Sequence, residues 1–173
     1  HMGCGLSDKP QSYPYCLRQH IANLESLLES TQPGPFALVV HDWGGAIGLG
    51  LAGRRPEWIR RIVILNTAAF PFATIPFRIA LCRTPGVGEW MLRGLNAFVR
   101  AATYMTTVKP LAEEVKEGFT LPYDSWKNRI AIARFVQDIP MRPSHPSYAT
   151  LQEVEKGLER LAEKPVEIHW GMQ

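Results

Sequence analysis

Phe36-Ala37-Leu38-Val39-Val40-His41-Asp42-Trp43-Gly44-Gly45-Ala46-Ile47-Gly48 decides how this chain folds. An unbroken apolar run, Phe36 to Val40, meets a polar pair, two glycines and then a small-residue apolar segment. That order predicts a buried parallel strand turning sharply into a helix, with Asp42 on the turn. An acidic side chain at the carboxyl end of a buried strand stands at the mouth of a sheet, where ligands bind, and glycines after it let the following helix pass close by. Asp42 alone reads first as a helix N-cap, accepting hydrogen bonds from the first backbone N–H groups. A cap requires no five-residue apolar strand, no adjacent Trp43 and no paired glycines. The whole stretch therefore favours a presented carboxylate.

Working outward, the next helix runs through Leu49, Leu51 and Ala52 and ends at Gly53, before Pro56. Ile59 to Leu65 is a second buried strand, closed by Asn66-Thr67-Ala68 at the same carboxyl edge. On the amino-terminal side, Leu17, Ile21, Leu24, Leu27 and Leu28 recur at intervals of three and four. They predict an amphipathic helix to about Leu28, stopped by Thr31-Gln32-Pro33-Gly34-Pro35. Strand, helix and strand in this order form a right-handed crossover, with helices expected on both faces of a parallel sheet.

From Phe70 to about Leu161 no β-branched run appears. Aromatic residues and prolines, among them Phe72, Pro76, Trp90, Phe98, Phe119 and Trp126, break the stretch into short helices. This reads as a helical cap inserted between strands, whose aromatics either line an apolar pocket shared with the sheet edge or form the cap's own core. Leu151, Val154, Leu158 and Leu161 resume helical spacing, and residues 165–171 read as a third strand. The expected class is α/β, a partial parallel sheet flanked by helices, with the core in residues 1–69 and 151–173 and the cap in 70–150.

A length of 173 residues fits one domain with a sizeable core. The formal net charge of +3 is too slight and dispersed to argue for nucleic acid. Its densest basic cluster, Arg54, Arg55, Arg60 and Arg61, brackets Pro56-Glu57-Trp58-Ile59 and reads as a solvated connection rather than a phosphate site. Cys4, Cys16 and Cys82 form no CxxC pair and no disulfide framework, so reduced thiols and a cytoplasmic setting are expected. The five histidines, His1, His20, His41, His145 and His169, show no metal-binding spacing; neither metal nor cofactor is expected. No apolar stretch reaches the roughly 18 residues of a membrane span, and the amino terminus carries no signal-peptide pattern.

Several motifs together resemble one family. In the loop from Met2 to Pro10, the residues Gly3, Gly5, Ser7, Asp8, Lys9 and Pro10 match a G-x-G-x-S-D-K-P loop of α/β-hydrolases. The run His41-Asp42-Trp43-Gly44-Gly45 resembles the nucleophile elbow of the branch that uses aspartate where others use serine. Ile64 to Phe70, Leu121 to Trp126 and Phe135 to Pro140 extend the likeness over nearly the whole chain. It is strongest to the haloalkane dehalogenase group and, within it, to β-lactone decarboxylases of bacterial olefin biosynthesis.

The resemblance implies that Asp42 is a nucleophile attacking a small apolar electrophile, a haloalkane or β-lactone, to give an alkyl-enzyme ester. It implies for Trp43 a backbone N–H placed for an oxyanion and an indole N–H donating to a departing halide or carboxylate; without the resemblance, an indole packed on the cap is an equal account. Epoxide hydrolysis, with Tyr104, Tyr123 or Tyr148 as proton donor, and a non-catalytic binding module are the alternatives. Against the family pattern, an oxyanion loop would precede residue 1. The acid would fall at Ala68 or one residue past Gly171-Met172-Gln173, and the histidine base further on. His41, His145 and His169 do not replace that base. The chain is thus expected to be an excerpt that turns over no substrate alone but can be alkylated once, with a bare edge on its first strand inviting self-association.

Overall fold

The structure, a computed structural model, describes residues 1–31, 34–72 and 74–171. Gln32 and Pro33 of the expected helix stop, and Met172-Gln173 of the terminal motif, lie outside the described residues. Two compact units emerge: residues 16–73 with 140–173, and residues 1–15 with 74–139.

The first unit contains helix α1 (Leu17–Thr31), strand β1 (Phe36–His41), α2 (Trp43–Arg54), β2 (Ile59–Leu65), a later helix (Tyr148–Gly157) that ends in a 3-10 turn, and β3 (Val166–His169). The strands are parallel in the order β1-β2-β3, with Val40 opposite Ile64 and Ile64 opposite Ile168. Apolar, β-branched side chains suit a pleated surface, which is why the runs 36–41 and 59–65 become strands. Helix α2 is buried continuously from Gly45 to Gly53, as a helix held between a sheet and two other helices must be. Its Ile47 and Leu51 join Leu17, Ile21, Ile59, Ile62, Leu151 and Val154 in the core.

The strands are less enclosed than their sequences predict. Of β1 only Val40 is buried, and Val39 is 61% exposed. Leu38, Val40, Ile62 and Ile64 share the face toward α2. The opposite face, with Ala37, Val39 and His41, is exposed among the described residues and carries a solvated Arg61–Glu167 ion pair. Helices on both faces were expected; α2 packs on one. Arg61, on the exposed face, is the sequence clue, since charged side chains stay in water unless paired in a dry interior.

The second unit is helical: α3 (Phe77–Cys82), α4 (Val87–Glu89) running into a π-helical turn at Trp90–Gly94, α5 (Ala97–Met105), α6 (Glu113–Thr120) and α7 (Ile130–Gln137). The Tyr148–Gly157 helix is accordingly α8. Prolines and glycines keep these helices short, as the sequence predicts. Cys82, Leu92, Ala133 and Val136 form one small core, and Tyr15, Ile130 and Ala131 another. Residues 1–15, which the sequence reading groups with the sheet, make their compact unit with these helices instead, because Tyr15 packs on Ile130 and Ala131. The Tyr123 hydroxyl accepts a hydrogen bond from Gly5 N at 3.0 Å.

Two arginines organise the second unit. Arg93 is buried, paired with Glu89 at 2.7 Å, donating to Gln11 Oε1 at 3.0 Å and stacked over Trp126. Arg129 donates to the carbonyls of Tyr123, Arg93, Gly94 and Asp124 at 2.6–3.1 Å. Arg93 thus joins side chains, and Arg129 gathers four backbone carbonyls of the surrounding turns.

Candidate active site

All three strands end at one edge, and the residues just past them are tied to each other. Asp42 N donates to the Asn66 carbonyl at 3.3 Å. Asn66 Oδ1 in turn accepts from Gly171 N at 3.0 Å. Asp42 is thus fixed to the end of β2, and β2 to the residues after β3. The carboxyl edge predicted for the site is the edge on which Asp42, Asn66 and Thr67 meet.

Asp42 adopts φ 49° and ψ −131°, a conformation that costs an L-residue about 1–3 kcal/mol and is kept only where surroundings enforce it. Its side chain is exposed and makes no capping hydrogen bond to α2. The N-cap reading therefore fails: the carboxylate is not occupied in fastening the helix. Helix α2 begins at the very next residue, the half-buried Trp43, so Asp42 stands directly at the amino-terminal end of that helix.

Three hydrogen bonds enforce the turn. Besides Asp42 N to Asn66, Gly45 N donates to the Asp42 carbonyl at 2.9 Å, and the Thr67 hydroxyl donates to the same oxygen. The first turn of α2 passes so close to Thr67 that a Cβ on Gly45 would stand 1.8 Å from Thr67 Oγ1. Gly44, by contrast, faces open space. Of the two glycines expected to permit a close approach, Gly45 does so and Gly44 does not. The sequence reading placed Asn66 and Thr67 at the strand end without giving them a part in the turn. The available signal was Asn66, a residue type tolerant of positive φ, here 29°.

Beside this edge, on the α2 face of the sheet, lies an apolar hollow of about 430 Å³ whose lining includes Leu49, Ile64, Thr67, Ala68, Phe70 and Trp170. Thr67 belongs to both the hollow and the turn.

The other candidates are engaged elsewhere. His41 ends β1 on the exposed sheet face. His169 lies on β3 with Nε2 3.6 Å from Glu167 Oε2, and His145 Nδ1 accepts from Ser147 N at 3.2 Å in the turn before α8. Tyr104 is exposed beneath the Lys116 ammonium, 4.4 Å from its ring. Burial pushes the Tyr123 phenol above its ordinary pKa. Tyr148 opens α8. Arg54 and Arg55 are drawn into ion pairs with Glu25, and Arg55 also pairs with Glu29. Among the described residues no three His, Cys, Asp or Glu side chains cluster as metal ligands, and no helix is long and apolar enough to cross a membrane.

Comparison with known proteins agrees with this fold. The sequence profile of the α/β hydrolase fold matches residues 1–102. A cis-3-alkyl-4-alkyloxetan-2-one decarboxylase of Shewanella oneidensis is 43% identical over 100% of this chain and 57% of its own length. A protein of the same description from Xanthomonas campestris is 39% identical, over 100% of this chain and 61% of its own length. Among solved structures, an ancestral haloalkane dehalogenase superposes with a TM-score of 0.88 at 28% identity, covering 98% of this chain and 62% of that one. The chain spans about three fifths of the length of the curated relatives it matches.

Proposed function

The chain belongs to the α/β hydrolase fold family, and from that premise we propose that Asp42 is the nucleophile of a hydrolase-type enzyme acting on a small apolar electrophile. The observation that carries this reading is the strained, exposed Asp42, held at the strand ends with no helix-capping bond. Strain of this kind is kept at sites where a side chain must be presented rather than packed.

An ionised carboxylate needs no base to activate it. On a haloalkane, an Asp42 carboxylate oxygen forms a bond to the halide-bearing carbon, and the carbon–halogen bond breaks with its electron pair leaving on the halide. On a β-lactone, attack at the alkyl-bearing sp3 carbon joined to the ring oxygen, not at the carbonyl carbon, breaks that carbon–oxygen bond and leaves a β-carboxylate on the new ester. Loss of CO2 from that intermediate forms an alkene and expels the Asp42 carboxylate unchanged. The β-lactone is the favoured substrate class, since the two relatives of highest identity described above are named for decarboxylating a dialkyl oxetanone. In either case this reading assigns to Trp43, first residue of α2, a backbone N–H that meets developing negative charge and an indole N–H that donates to the departing group.

The test is a mass adduct. The chain is incubated with 1-bromohexane and, separately, with a cis-3,4-dialkyl β-lactone, and intact mass followed by peptide mapping locates any ester. An adduct on Asp42 with either reagent, absent in Asp42→Asn, is expected. No adduct in the wild type, or modification that persists in Asp42→Asn, would remove Asp42 from the mechanism.

A further inference from the structure

We propose that Thr67 is a positioning residue for the Asp42 nucleophile, its hydroxyl holding the Asp42 carbonyl so that the carboxylate stays presented at the strand ends. This inference rests on the nucleophile reading above and adds to it the side chain that maintains the strained turn.

Asp42 cannot stay at φ 49° unaided, because a non-glycine residue is pushed out of that region by its own Cβ. Two of the three bonds at the turn, to Asn66 O and from Gly45 N, are main chain to main chain and would be offered by many sequences. The Thr67 hydroxyl is the side-chain contribution. It meets the same Asp42 oxygen that Gly45 N meets, so both lone pairs of that carbonyl are engaged from two directions. The carbonyl is then unable to swing, and the Cα–Cβ bond of Asp42 is aimed with it.

The tightness of the contact supports a built arrangement. Thr67 sits where Gly45 leaves no space for even a methyl group, so the hydroxyl and the first turn of α2 are matched to each other. Thr67 also lines the apolar hollow beside the strand ends. One side chain therefore holds the nucleophile's main chain and borders the nearest apolar space described at that edge.

A threonine after a strand can also serve merely to end it, through local side-chain to main-chain bonds. The two roles separate experimentally. Thr67→Val keeps the shape and removes the donor; Thr67→Ser keeps the donor and removes the methyl. Single-turnover alkylation of each folded variant by 1-bromohexane, followed by mass across a range of concentrations, gives a maximal rate and a half-saturating concentration. For Thr67→Val the maximal rate is expected to fall roughly 10- to 100-fold, the scale of a misplaced reacting group, and Thr67→Ser to keep the wild-type rate within about threefold. The half-saturating concentration is expected to change less than about twofold, the mark of a loss confined to the reacting step.

A crystal structure of Thr67→Val is expected to show residue 42 relaxed out of positive φ. Should the valine variant fail to fold, Thr67→Ala carries the same expectations. Wild-type alkylation rates in Thr67→Val, a serine variant as slow as the valine one, or an unchanged φ at residue 42 would each overturn the proposal while leaving Asp42 as nucleophile. An inert wild-type chain would instead remove the nucleophile itself, and the role of Thr67 with it.

Discussion

Gly53 at the end of α2 and Gly157 at the end of α8 meet main chain to main chain, so closely that a Cβ on Gly53 would stand 3.0 Å from the Gly157 Cα and 3.2 Å from its carbonyl carbon and oxygen. The atoms in the way are backbone, which cannot rotate aside as a side chain can. Arg160 bridges the same place, donating to the Gly53 carbonyl at 3.2 Å.

Gly53→Ala is therefore expected to destabilise the chain by about 1–3 kcal/mol, the scale of overpacking, despite the higher helix propensity of alanine. At Gly157 the nearest atom to an added Cβ is 3.3 Å away and the next 3.8 Å. There the propensity gain of up to about 1 kcal/mol opposes a milder contact, and Gly157→Ala is expected to be near neutral. Urea denaturation of the two variants checks the order; a Gly157 variant as unstable as the Gly53 one would contradict it.

Asp42→Gly is expected to raise stability by about 1 kcal/mol while abolishing alkylation. Its φ and ψ are close to the mirror image of extended backbone, which glycine enters freely and an L-residue does not. Because the Asp42 side chain makes no capping bond, the substitution takes no hydrogen bond from α2. Thermal melts of the wild type and Asp42→Gly decide this, and a lowered melting temperature would mean the carboxylate has a structural bond after all.

His20, 1% exposed in the first turns of α1, has its pKa lowered to about 4 by burial. The folded state thus resists a proton that the unfolded chain accepts near pH 6.5. The native state keeps full stability above about pH 6.5 and loses it as pH falls toward 4, by up to about 3 kcal/mol. Denaturant midpoints between pH 4 and 7 should show this slope, and His20→Leu should flatten it. A slope that survives the substitution would assign the titration to another group.

Arg129→Met is expected to loosen the second unit locally by about 2–4 kcal/mol, since four backbone carbonyls lose a charged donor. Amide hydrogen exchange over residues 121–138 should lose protection, whereas β1 and β2 should not. Equal loss in both regions would show that the arginine supports more than its own unit.

The elements that the sequence reveals best are those whose pattern is local. The strand at Ile59–Leu65 begins and ends where its apolar run does, β1 adds only His41 to the expected run, and the α1 stripe predicts a helix at the right place. The π-helical turn at Trp90–Gly94, which carries the buried Arg93, has no such signature. The grouping of residues 1–15 with the helices is equally nonlocal: it depends on Tyr15 meeting Ile130 and Ala131, more than a hundred positions away.

At the site the division is sharper. Sequence alone determined the parallel strand-turn-helix unit and the candidacy of Asp42, because periodicity and the adjoining Trp43-Gly44-Gly45 are properties of a short contiguous stretch. Only the tertiary structure decided that Asp42 is strained rather than capping, that Gly45 and not Gly44 is required by close approach, and that Thr67 reaches the Asp42 carbonyl. Those facts depend on β2 lying in parallel register beside β1, which brings together residues 25 positions apart. No local pattern encodes such a distance, and packing sets it.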